Sequence, residues 1–413
     1  EINHYRSNYD SIEGMFEDYT PLYRHAEVNS VYRIIERKEC VSLVGVGTVG
    51  KTHFLNHMRT NLVFNRYRHE QDSTLEEKQV IFVIVDPQAL LIVGDRELNV
   101  ESERAWSGFE LLMSRLELAC AEQQLDVNLQ DLYGRVIKET ETAHRFALRQ
   151  FELALERILD HLSKNARLVL VFDEFERYLK VMPASFFINL RALRDQHRYQ
   201  LLFMTISRSE LYQLGADNVT VRKKMKRAEG WFELFKTPVY LRPAENGDLL
   251  ELIRFLNARL RNGDRLTREK YNVLTGAVGG HGGLLRTALM LVDRTSISNT
   301  DTLITMLLDD SSVRRECEIM MESCTQEERD CLTTIAQYQP TEACVSVSTE
   351  FWNKHVFAIR TLYEKGLLNY QQAHLNDRTV ENQLGVAPQV LRRFLQLMAW
   401  YQQNRQPFSH PAN

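Results

Sequence analysis

Two short stretches hold residues whose types and spacing can do chemistry on phosphate. The first, Gly45-Val46-Gly47-Thr48-Val49-Gly50-Lys51-Thr52, fits G-x-x-x-x-G-K-[ST] at every fixed position. Glycines let successive backbone N–H groups turn inward around an anion. The lysine supplies charge to the outer phosphate oxygens, and the hydroxyl after it can take a place around Mg2+. His53, next in the chain, is counted with the phosphate-contacting residues. The second stretch is Leu168-Val169-Leu170-Val171-Phe172-Asp173-Glu174, an apolar run ending in adjacent carboxylates. There Asp173 can reach the metal and Glu174 can polarise a water toward a terminal phosphate. Glu176 reads as a solvated helix residue.

These groups need a scaffold, and the flanking pattern predicts one. An apolar strand over Cys40–Val44 runs into the glycine loop, and an amphipathic helix begins at Lys51, the order that phosphate binding requires. Gln79–Asp86 is apolar on both faces, as a parallel strand covered by helices must be. Strand-like runs return at Arg167–Phe172, Leu201–Ile206 and Pro238–Leu241 with helical pattern between them, which is the alternation of an open α/β sheet. The stripes Phe109, Leu112, Met113, Leu116, Cys120 and Leu148, Phe151, Leu155, Ile158, Leu159, Leu162 predict core-facing helices within a long insertion. Past Pro243, helices over Leu249–Leu260 and Leu284–Val292 with glycines at 276, 279, 280, 282 and 283 predict a small helical lid. After Thr325, a helix to Ala336, a second over Phe351–Lys365, a stop at Gly366 and a polar hairpin give the order of a winged helix. Within the second helix Trp352, Val356, Ile359 and Leu362 read as core. The expected domains are a lead-in segment (1–35), a nucleotide-binding core (36–242), a lid (243–315) and a winged-helix-like domain (316–413).

Composition narrows the classes. At 413 residues more than one core is expected, and 51 basic against 55 acidic residues leave a formal charge of -4, too balanced for a global attraction to nucleic acid or anionic membrane. The cysteines (40, 120, 317, 324, 331, 344) show no C-x-x-C pair, so neither a metal site nor a disulfide framework is signalled and a reducing cytoplasm is expected. The apolar runs are strand-sized, short of the ~20 residues of a membrane span. The chain opens at Glu1 without a basic-then-apolar leader, and is expected to be a piece of something longer, with effector or sensor domains beyond it.

The Asp173-Glu174 ending resembles the additional-strand, catalytic-glutamate class of P-loop ATPases. More of the chain resembles the AAA+ relatives called STAND ATPases (the NB-ARC-like group) and their cousins, the origin-recognition ATPases. Leu22-Tyr23-Arg24-His25-Ala26-Glu27 resembles the G-R-E-x-E-L lead-in that borders the adenine, which puts Arg24 among the nucleotide contacts. Thr205-Ile206-Ser207-Arg208 looks like the strand-end T-S-R of STAND proteins, whose arginine touches the γ-phosphate. A guanidinium at a strand tip suits that task, because it can donate two hydrogen bonds to phosphate oxygens. Gly279-Gly280-His281-Gly282 resembles the G-G-x-P of STAND lids with Gly282 in place of the proline, and Gly283–Leu289 resembles the sensor-2 helix of origin-recognition ATPases, with Arg286 in the arginine position. His281 is expected to shape the turn. Where STAND proteins carry an M-H-D histidine this chain has Leu384-Gly385-Val386-Ala387-Pro388, so that mode of holding ADP is not carried over. The resemblance implies ATP/ADP and Mg2+ as cofactors and an α/β fold with a P-loop NTPase, AAA+-like parallel sheet, a small helical lid and a winged-helix domain.

Two readings of function remain open. One is a slowly hydrolysing signalling switch that self-associates when ATP-bound. The other is a DNA-handling AAA+ ATPase of the origin-recognition or transposition-related type, whose winged helix reads duplex DNA. A non-hydrolysing scaffold fits less well with an intact Glu174. Val221-Arg222-Lys223-Lys224-Met225-Lys226-Arg227, the densest basic run, reads as a solvated loop, a DNA contact, or the source of an arginine (Arg227 or Arg222) donated to a neighbour's γ-phosphate. Lys51→Ala is expected to abolish or greatly weaken magnesium-dependent binding of a fluorescent ATP analogue; equal affinity in variant and parent would contradict the loop assignment.

Overall fold

The computed structural model describes residues 20, 22–71, 73, 75, 80–86, 101–132, 134, 147–163, 165–216, 218–260, 267–294, 299–339, 344–376 and 379–404. Gln79 of the second expected strand, and most of the lead-in before Leu22, lie outside them. The chain forms two compact units: Arg24–Gly45 with Thr52–Tyr240, and Val46–Lys51 with the described residues up to Tyr23 and from Leu241 onward.

The first unit is built on a parallel sheet of β1 (Val41–Val44), β2 (Val80–Val85), β3 (Arg167–Phe172), β4 (Leu201–Ser207) and β5 (Pro238–Tyr240), in the order β2-β3-β4-β1-β5. β4 therefore stands between β1 and β3, the additional strand that the acidic ending implied. Every residue of β1, β3 and β4 is buried, which is why these segments are continuous apolar runs and not alternating ones. Helix α1 (His25–Glu36) precedes β1, and α2 (Lys51–Met58), α3 (Asn61–Gln71), α4 (Glu101–Glu122), α5 (Ala147–His161), α6 (Phe175–Val181), α7 (Ala184–Gln196), α8 (Val219–Arg227) and α9 (Glu229–Phe232) belong to the crossovers. The α4 and α5 stripes reach the core as read: Phe109, Leu112, Met113 and Leu116 are buried with Phe151, Leu155 and Ile158. The basic run is a helix, α8, and not a loop. Asn218 caps it by accepting the Val221 N–H at 3.0 Å, a local signal inside a stretch that the charge pattern dominated.

An aromatic cluster sits beneath the acidic pair. Phe172 and Phe175, which flank Asp173 and Glu174, are fully buried and meet Trp231 at ring-centroid distances of 6.3 and 5.3 Å. Phe187 meets the same indole at 5.1 Å. Each such ring removes on the order of 150–250 Å² from water, so the backbone at the two carboxylates is held from both sides.

The second unit continues through α10 (Asn246–Leu260), α11 (Arg268–Val278), α12 (Gly282–Arg294), α13 (Thr300–Asp309) and α14 (Ser311–Glu322). Then come α15 (Gln326–Tyr338), β6 (Val345–Ser346), α16 (Thr349–Glu364), β7 (Leu368–Asn376), β8 (Thr379–Val386) and α17 (Gln389–Asn404). The strands form an antiparallel sheet in the order β6-β8-β7, so the expected wing has a third strand. One core assignment in α16 is corrected. His355 leaves helical geometry (φ -114°, ψ 16°), and the break in periodicity turns Val356 outward while Ile359 and Leu362 remain buried.

A buried ion pair joins α15 to the end of α16. The Lys365 ammonium donates to Glu328 Oε2 at 2.8 Å and to the Ser323 carbonyl at 2.9 Å, and both side chains are all but inaccessible. The same Glu328 oxygen accepts the Thr325 N–H at 2.8 Å, closing a capping box. Removing one partner leaves a buried charge uncompensated, so Glu328→Ala should lower unfolding free energy by about 3–5 kcal/mol in urea titrations, and the double change Glu328→Leu with Lys365→Met by less.

Candidate active site

All strands of the first sheet are parallel, so their C-terminal ends share one edge. The register pairs Val44 of β1 with Ser207 of β4, and Phe172 of β3 with Thr205 of β4. Gly45, Asp173 and Arg208, each one residue past its strand, therefore emerge together, with β1 and β3 two strand spacings apart, about 10 Å. The Gly45 N–H donates to the Ser207 carbonyl at 3.0 Å, carrying the β1–β4 ladder into the first residue of the loop. Thr52 and His53, in the first turn of α2, are exposed.

The loop has the geometry of an anion cradle. Thr48 (φ 68°) and Gly50 (φ 96°) are both left-handed, and no described atom lies within 4 Å of the place a Cβ would take at Gly50. Val46 and Val49 are buried, so the loop is anchored by its apolar members. The Lys51 ammonium donates to the Val46 carbonyl at 3.0 Å, which holds its charge over the loop.

Within the second unit the loop is in contact with α12 and with α14. The Gly283 N–H, at the start of α12, donates to the Thr48 carbonyl at 3.0 Å. A Cβ on Gly47 would come within 2.4 Å of Ile319 Cγ2, and one on Gly283 within 2.8 Å of Thr48 Cβ. Both glycines are thus demanded by close approach, whereas the sequence pattern asks for Gly47 on account of phosphate.

At the acidic strand end Asp173 Oδ1 accepts the Glu174 N–H at 2.8 Å, and Glu174 is left-handed (φ 46°) as the residue preceding α6. A non-glycine residue held there costs on the order of 1–3 kcal/mol, which the aromatic packing on either side offsets. The Glu174 carboxylate pairs with Arg177 Nε at 2.8 Å. Both carboxylates are half-buried, close enough to solvent to stay hydrated and close enough to the sheet to be directed. The oxygen donors Thr52 and Asp173 at this edge fit a hard divalent cation such as Mg2+.

Glu176 is corrected. It is half-buried, and its Oε1 accepts the main-chain N–H of Arg208 at the tip of β4. Its offset from Asp173, three residues on, was the available signal, since that spacing returns a helical side chain to the same face. Arg208 is half-buried, and among the described residues no hydrogen bond or ion pair engages its guanidinium. Arg286 is exposed on α12. Arg24 lies at 2% exposure, with its guanidinium on Glu27 at 3.2 Å. Arg222 donates to the carbonyls of Gly215 (3.2 Å) and Ala216, tying α8 to the preceding turn, whereas Arg227 is exposed at the helix end.

His281 is buried in the turn before α12, its carbonyl accepting the Leu285 N–H at 2.8 Å. Among the described residues no group of three or more His, Cys, Asp or Glu could hold a metal ion. Burial pushes the Cys317, Cys324 and Cys331 thiols up to about 12, keeping them neutral.

No protein-family model matches the chain, and no curated protein matches it in sequence. Solved structures do resemble it. A Walker-type ATPase of Pyrococcus abyssi aligns over 90% of this chain and 95% of its own at 12% identity and a TM-score of 0.48. The ORC1 protein of Aeropyrum pernix, solved in complex with DNA, aligns over 92% and 94% at 11% identity and a TM-score of 0.38. Cdc6p from Pyrobaculum aerophilum aligns over 91% and 93% at 9% identity and a TM-score of 0.36.

If Glu174 polarises the attacking water, Glu174→Gln should keep nucleotide affinity and lower single-turnover hydrolysis by about 100-fold or more. Unchanged single-turnover rates would remove it from the chemistry.

Proposed function

We propose that the chain is a magnesium-dependent ATP-binding and hydrolysing module that passes its nucleotide state to its C-terminal helices. The observation that carries this reading is the membership of the phosphate loop in the same compact unit as the lid, through the Gly283–Thr48 hydrogen bond and the Ile319–Gly47 approach. A loop that wraps phosphate through its backbone cannot rearrange without disturbing both contacts, so binding is coupled to α12 and α14. Lys51 and the loop N–H groups hold the phosphates, Thr52 and Asp173 hold Mg2+, Glu174 directs water, and Arg208 and Arg286 are the guanidinium donors for the γ-phosphate. The magnesium ion supplies neutralisation of phosphate charge.

In this reading the module is the slow ATPase switch of a larger signalling protein of the STAND kind. It self-associates with ATP, and Arg227 or Arg222 is the residue a neighbour would donate. No described helix is long and apolar enough to cross a membrane. A cytoplasmic setting is part of the same proposal.

One observation favours the second reading, a DNA-handling ATPase. On α16, Phe357 is 80% exposed, and Lys354 and Arg360 are exposed beside it. An aromatic ring between two cations is suited to nucleic acid by stacking and by phosphate contact. A duplex titration separates the two: nanomolar affinity with a steep salt dependence, reduced by Phe357→Ala with Arg360→Ala, would favour DNA handling.

Hydrogen exchange tests the shared claim. Amides over 279–286 and 311–322 should exchange differently with a non-hydrolysable ATP analogue than with ADP, and identical exchange in the two states would contradict the coupling.

A further inference from the structure

The tip of β4 is held more tightly than a strand end needs. Ser207 is fully buried and its carbonyl accepts the Gly45 N–H at 3.0 Å from the phosphate loop's first residue. Its hydroxyl donates to the Ser209 carbonyl at 2.7 Å, fixing the turn on the far side of Arg208. Between these two ties the Arg208 N–H donates to the carboxylate of Glu176, which comes from α6.

A third carboxylate beside Asp173 and Glu174 works against a site for a polyanion, because every added negative charge at that edge repels phosphate. Its contact gives a reason for its presence. The carboxylate is spent on the main chain of Arg208 and not on its guanidinium, so it fixes where the side chain starts while the guanidinium stays available. A charge-assisted acceptor for a main-chain N–H is a stronger restraint than water or a neutral oxygen could supply.

We propose that Glu176 is a positioning residue: it fixes the main chain at Arg208 so that the guanidinium meets the γ-phosphate, and thereby sets how far the site distinguishes ATP from ADP. This rests on the reading of Arg208 as a γ-phosphate donor. Glu176 itself touches neither nucleotide nor metal. Glutamine at 176 retains an oxygen acceptor without the charge, whereas methionine is of similar length and offers no such acceptor.

The test is the ratio of the dissociation constants of Mg-ADP and of a non-hydrolysable Mg-ATP analogue. It is measured on the whole chain for the parent, Arg208→Ala, Glu176→Met, Glu176→Gln and the double variant Glu176→Met with Arg208→Ala. Arg208→Ala and Glu176→Met should each lower the ratio by about tenfold, with Glu176→Gln within about threefold of the parent. The double variant should match Arg208→Ala alone, since both act on one contact. ADP affinity within about threefold of the parent shows that each variant retains a folded site. A Glu176→Met chain that discriminates like the parent while Arg208→Ala does not would overturn this inference alone, as would a double variant that loses the two effects additively. If Arg208→Ala discriminates like the parent, the γ-phosphate role of Arg208 falls and the inference falls with it.

Discussion

A parallel sheet has one edge at which all its strands end, and the pairing of β4 between β1 and β3 decides what arrives there. Side by side, β1 and β3 would bring Gly45 and Asp173 within one strand spacing, about 5 Å. The inserted strand doubles that separation and brings Arg208 to the middle of the edge. Every residue of β4 is buried, so a one-residue slip would exchange the side chains packed on its two faces.

The loop and the acidic pair are restrained by different means. Under Asp173 and Glu174 the restraint is apolar, with Phe172 and Phe175 sharing Trp231. Around the loop it is steric and polar, with glycines at 47 and 283 admitting Ile319 and Thr48, and one main-chain hydrogen bond running from Gly283. A packed aromatic core has few alternative arrangements, so the acidic end is the fixed reference. A single hydrogen bond contributes only about 1 kcal/mol net, a scale that ligand binding can reverse.

Much of this was legible because local pattern and tertiary role agreed. Fully buried strands leave unbroken apolar runs, so β3 has the bounds read from sequence, and the loop, strand and helix around Lys51 follow in the expected order. Where a second element intervened, sequence reasoning failed. Nothing local to Glu176 says that β4 will present a main-chain N–H to it. The charge density of 221–227 hid a helix started by Asn218, and the departure of His355 from helical geometry shifted the face on which Val356 lies.

That Thr52 and Asp173 are metal donors of one nucleotide-dependent site is the most exposed claim. Mn2+ in place of Mg2+ tests it directly by electron paramagnetic resonance. The account predicts tight Mn2+ binding only when ATP is present, with phosphorus couplings to the metal, and weakened by both Thr52→Val and Asp173→Asn. Mn2+ bound equally well without nucleotide, or bound with ATP in a manner indifferent to both substitutions, would contradict it.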